Sequence, residues 1–66
     1  MYMHKFVGML HEKKIPIRRL AIALDITEPT VRKYIKTHGF SLAQTMILAD
    51  LLEIRNPDEI CDIFLS

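Results

Sequence analysis

One cysteine and two glycines occur in 66 residues. The lone Cys61 cannot close an internal disulfide, and the absence of any CxxC pair removes the common zinc staple. A single unpaired thiol suits a reducing, cytoplasmic setting. With so little glycine there is no Gly-rich loop to cradle phosphate. No nucleophile elbow and no histidine–carboxylate pair at helical spacing are present either, so an enzyme is not expected. His4, His11 and His38 lack ligand spacing relative to Cys61, so neither a metal nor another cofactor is expected. No apolar run approaches the roughly 20 residues of a membrane span. The N-terminus has neither the apolar stretch nor the small-residue cleavage site of a signal peptide. No segment alternates apolar and polar residues long enough to read as a strand. The length fits one domain over residues 1–66, with little stability to spare. Such a chain must pack very regularly or dimerise.

What is present is charge, unevenly placed. The net charge of +1 argues against a simple basic nucleic-acid binder. Residues 1–38, however, carry eight Lys or Arg against three carboxylates, and residues 39–66 carry one against five. The halves are therefore +5 and −4. Such a split suits a chain with one face for an anion and another for something else.

The remaining pattern is helical. Met3, Phe6, Val7 and Leu10 follow the spacing of an amphipathic helix over residues 3–13, with Lys13 and Lys14 at its negative end. Pro16 stops it and opens a second helix over 17–24, with Leu20, Ala21 and Leu24 inward. Thr27 is a good N-cap and Pro29 falls in the next first turn, which starts a third helix over 28–36. Gly39 is expected to take the left-handed conformation after it. Ser41-Leu42-Ala43-Gln44 reads as a capping box for a fourth helix over 42–53, with Leu42, Met46, Ala49 and Leu52 as its core stripe. Asn56 as cap, Pro57, and the acidic pair Asp58 and Glu59 begin a short fifth helix over 57–64. The fold class expected is all-α, a compact bundle of about five short helices.

The informative segment is Ile17 to Lys36, IRRLAIALDITEPTVRKYIK. Two short helices meet across a three-residue break. Small Ala21 stands where their backbones must approach, and Ile26 plugs the gap between them. Asp25 begins the turn, and Asp is among the few non-glycine residues that accept a left-handed backbone there. The spacing LAxxLxIxxxTVxxYI resembles the helix-turn-helix of the phage Cro/repressor-like (XRE-type) family of DNA-binding proteins, and the likeness spans the whole chain. It implies a lambda-repressor-like domain with its motif at 17–36 and its recognition helix at about 28–36. Asp25 stands where the family usually has Gly. Leu10 and Ile35 stand where many members pair an arginine with a glutamate, and an apolar contact can replace such a pair. Ile17 stands where the family often has a phosphate-touching Gln.

By this resemblance Thr27, Glu28, Pro29, Thr30, Arg32 and Lys33 are candidate base readers. Glu28 can accept from cytosine, Arg32 or Lys33 can donate to guanine, and Pro29 or the Thr30 methyl can touch a thymine methyl. Arg18, Arg19, Lys36, Thr37, His38 and Ser41 are candidate phosphate contacts. The apolar supply in the last helix exceeds what one face of a two-turn helix can bury. Residues 57–66 are therefore expected to form a dimer interface through Ile60, Ile63, Phe64 and Leu65, with Cys61 buried or in the interface. The four methionines read as core filler. The expected function is a sequence-specific regulator of transcription that binds double-stranded DNA. It would be a phage or prophage Cro-like repressor, a homodimer on a palindromic operator, in the cytoplasm of a bacterium or phage-infected host. The alternative is a protein-interaction module on the same scaffold, an antirepressor or modulator that binds another regulator.

Overall fold

The computed structural model describes residues 3–65. Five helices follow one another: α1 (His4–Glu12), α2 (Ile17–Leu24), α3 (Glu28–Thr37), α4 (Leu42–Leu51) and α5 (Pro57–Phe64). No strand forms among the described residues.

Each of the last three helices starts where a side chain can satisfy an orphan backbone amide. Thr27 Oγ1 accepts from the Thr30 amide at 3.4 Å, and Asn56 Oδ1 accepts from the Asp58 amide at 2.8 Å. Ser41 and Gln44 cap reciprocally. The Gln44 amide donates to Ser41 Oγ at 3.1 Å, and the Ser41 amide donates to Gln44 Oε1 at 2.9 Å.

The helix ends share one geometry. Lys14, Asp25, His38 and Glu53 have φ of 57°, 57°, 53° and 61°, and no glycine among the described residues has positive φ. In each case the next amide reaches back to the carbonyl five residues earlier. Ile15 donates to Leu10 at 2.9 Å, Ile26 to Ala21 at 3.0 Å, Gly39 to Tyr34 at 3.0 Å and Ile54 to Ala49 at 2.9 Å. This closure satisfies carbonyls that the helix would otherwise leave open. In three of the four it also delivers an isoleucine to the core or its margin.

Gly39 is therefore not the left-handed residue; His38 is. Gly39 serves a close approach instead. A Cβ there would lie 2.8 Å from Tyr34 Cδ1 and 2.9 Å from Thr37 Oγ1. The Tyr34 ring is held edge-on against Phe40, with centroids 5.6 Å apart.

The core gathers Met3, Phe6 and Leu10 from the first segment, Leu20 and Ala21 from α2, and Val31 and Ile35 from α3. Leu48, Ala49, Leu52 and Ile54 join from α4 and its exit, with Ile63 and Phe64 from α5. Phe6 is its hub, 4.9 Å from the Phe64 ring and 6.0 Å from Phe40. α2 packs on α3 and on α4, while α1 packs on α5. An exposed ion pair, Lys5 Nζ to Asp62 Oδ1 at 2.6 Å, ties α1 to α5.

Three further expectations need correction. α4 ends at Leu51, short of residue 53, because Leu52 and Glu53 turn out of the helix. Its inner face is Leu48 and Ala49, whereas Leu42 and Met46 are 80% and 52% exposed. Ile63 and Phe64 fill this chain's own core, so they cannot also pave a dimer interface without being unpacked. Cys61 is exposed. Met1, Tyr2 and Ser66, the last residue of the expected dimerisation region, lie outside the described residues.

The two glycines predict opposite mutational signs. Gly8 is an exposed mid-helix residue, and a Cβ there meets nothing within 4 Å. Gly8→Ala should stabilise by about 0.5–1 kcal/mol through helix propensity. Gly39→Ala should destabilise by about 1–2 kcal/mol, because Tyr34 and Thr37 must move. Urea unfolding followed by circular dichroism reads both.

Candidate nucleic-acid interface

The elbow between α2 and α3 is three residues long, and sterics at each of them set its angle. Asp25 is left-handed at φ 57° and ψ 44°. Ile26 follows half-buried against the core, and Thr27 is extended at φ −83° and ψ 158° as it caps α3. Behind the elbow, Ala21 is buried on α2, and Val31 and Ile35 are buried on α3. A larger residue at 21 would push the helices apart. α3 is thus fixed by one face and shows the other to solvent.

That outer face carries the candidates. Thr27, Pro29, Arg32, Lys33 and Lys36 are exposed, and Glu28 and Thr30 are half-exposed. Open depressions lie on either side of α3. Arg18, Asp25, Thr27 and Glu28 line the one beside α2. Pro29, Arg32, Lys33, Lys36 and Thr37 line the one beside α1. The structure therefore brings Arg18 on α2 onto one surface with the start of α3. It carries His38 elsewhere, into an apolar groove with Leu42 and Leu65.

The electrostatics of this face are one-sided. Arg18, Arg19, Lys33 and Lys36 have no ion-pair partner among the described residues. Arg32 Nη2 lies 3.7 Å from Glu28 Oε1, one turn away. The helix starts at Ile17, Glu28 and Leu42 add the positive ends of three helix dipoles.

Hydrogen-bonding capacity separates the hydroxyls. Thr27 and Thr30 share one bond at 2.7 Å, so one of their two hydroxyl hydrogens stays available to a base or phosphate. Ser41 Oγ accepts from Gln44, which leaves its own hydrogen free to donate. Thr37 donates to the Lys33 carbonyl at 2.9 Å, and it can reach a phosphate only by giving up that bond.

One residue of this face escaped the sequence reading. Ile22 is 73% exposed and lines the depression beside α2. Its signal was its position one turn after Arg18, on the outer side of α2.

A family model described as a Cro/C1-type HTH DNA-binding domain matches residues 6–64. No curated protein and no solved structure matches the chain.

The elbow yields a prediction about shape against charge. Asp25→Asn keeps a residue that tolerates the left-handed backbone and should change stability by less than about 0.5 kcal/mol. Asp25→Val places a β-branched side chain there and should cost about 1–2 kcal/mol or more. Thermal unfolding of the two variants separates conformation from carboxylate charge. Equal losses would mean that the charge, not the backbone, matters.

Proposed function

The chain belongs to the Cro/C1-type helix-turn-helix DNA-binding domains and is a DNA-binding regulator of transcription, and we propose on that premise that it represses by sequence-specific occupation of a palindromic operator, as a phage or prophage Cro-like protein does. The observation that carries the sequence-reading part is the cationic face around α3, where Arg18, Arg19, Lys33 and Lys36 have no ion-pair partner among the described residues, set beside a helix start free of core duties. An α-helix fits the major groove, and residues near its N-terminus reach base edges. Thr27, Glu28, Pro29, Thr30, Arg32 and Lys33 read bases in this arrangement. Arg18, Arg19, Lys36 and Ser41 hold phosphates. Thr37 and His38 are weaker phosphate contacts, one because its hydroxyl is engaged and the other because it lies by the apolar groove.

Size supports a homodimer. The Cα trace measures 28 × 23 × 23 Å. Successive half-sites on one face of DNA lie about 34 Å apart. One copy offers a single α3 and spans less than that distance, so a palindrome needs two. The exposed apolar surface suited to the contact runs along α4 and α5. It comprises Leu42 and Leu65 at 80% and 75% exposure, half-buried Ile60, and exposed Cys61 around one groove, with Met46 further along α4. Of the four residues expected from sequence, Ile60 and Leu65 remain in this interface. A cytoplasmic location belongs to the same reading, and no helix among the described residues is long and apolar enough to cross a membrane.

Binding to duplexes selected from a random library tests the proposal. Lys33→Ala should weaken binding by roughly 1–3 kcal/mol and relax one base position. Arg18→Ala and Arg19→Ala should weaken all sequences alike, each lowering the salt slope by about 0.9. Unchanged affinity across these variants would remove α3 from the interface. Sedimentation at tens of micromolar tests the dimer. The wild type should sediment as two copies, and Leu42→Asp with Leu65→Asp as one; a wild type that stays monomeric contradicts it. Tight binding to another regulator without DNA affinity would favour an antirepressor or modulator instead.

A further inference from the structure

We propose that Glu28 and Arg32 act as one reading unit for a cytosine and a guanine that lie side by side in the major groove, so that each half-site carries such a C/G contact under the start of α3. The inference rests on the α3 docking proposed above and deepens it to the sequence class of the operator.

Glu28 is the only acidic residue of α3, and it stands on a face otherwise occupied by Arg32, Lys33 and Lys36. A carboxylate facing DNA is repelled by phosphate unless it meets a donor. It can only accept, and the cytosine amino group is the base-edge donor it best matches in the major groove. Arg32 can only donate, and its two-pronged guanidinium matches the paired acceptors O6 and N7 of guanine. Adenine offers one acceptor there and would leave the second prong unmatched.

The geometry joins the two. Arg32 Nη2 is 3.7 Å from Glu28 Oε1. Stacked bases are about 3.4 Å apart, and the amino group of a cytosine lies within hydrogen-bond distance, about 2.9 Å, of O6 of its own guanine. The carboxylate and guanidinium can therefore address one base pair, or two successive ones, with little movement. The contact also turns Arg32 back along α3 towards its N-terminus, the end that enters the groove. Neither side chain serves the core, since Glu28 and Arg32 are 42% and 61% exposed. As a stabilising device alone an exposed pair of this kind contributes little.

Selection of duplexes from a random library with the full chain, in wild-type, Glu28→Gln and Arg32→Ala forms, tests the unit. The wild type should fix a cytosine, with a guanine on the same or the next base pair. Glu28→Gln should lower the preference for that cytosine on the order of tenfold and shift it towards adenine, which Gln reads through N6 and N7, while other positions stay fixed. Arg32→Ala should relax the guanine. Circular dichroism confirms that both surface variants remain helical. A wild-type site without such a cytosine, or a Glu28→Gln site identical to the wild type, overturns the inference and leaves the α3 docking standing. Failure of the wild type to enrich any sequence overturns that docking as well.

Discussion

At Asp25 the backbone enters the left-handed region, and within three residues the chain has left one helix and begun another. The Ile26 amide closes α2 on the Ala21 carbonyl at 3.0 Å. Thr27 then opens α3 with its own hydroxyl. The turn works only because Ala21 is small enough for α3 to come close. Leu20, Val31 and Ile35 then share one core with Phe6 and Leu48. Because α3 is anchored through Val31 and Ile35, its opposite side is left with no packing duty. The cationic face, and the pairing of Glu28 with Arg32, both follow from that division of labour.

Scarce glycine shapes the remainder. Four helices end on left-handed Lys14, Asp25, His38 and Glu53, residues that are less comfortable there than glycine. Each strained position is compensated locally by a backbone bond spanning five residues. At three of them an isoleucine is also drawn inward, so the helix ends double as core anchors. A chain of this size has little stability to spare, and linking turn closure to burial limits the loss.

The helix starts were legible because they depend on contacts two or three residues apart, as at Asn56, Thr27 and Ser41. The elbow was legible for the same local reason, with Asp25 and Ala21 each dictated by sterics. α4 was not. Apolar side chains occur all round it, so no periodic stripe distinguished Leu48 from Leu42; only packing in the folded chain, with α4 against α2, chooses between them. Gly39 misled because glycine serves either a left-handed turn or a close approach, and the Tyr34 ring that decides between them is a tertiary feature. Ile63 and Phe64 looked surplus to a two-turn helix because the ring cluster around Phe6 was invisible in sequence. The outward residues of α3 could be named from spacing. Which of them touch one another, as Glu28 and Arg32 do, required the folded chain.

The central claim is that α3, held by its Val31–Ile35 face, offers its other face to the DNA major groove. Amide chemical shifts of the isotope-labelled chain, followed as a selected duplex is added, test it most directly. The account predicts that the largest changes fall on residues 18–19 and 27–36, with those of Leu48, Leu52 and Ile63 small. Changes concentrated on α4 and α5, with α3 unaffected, would contradict it.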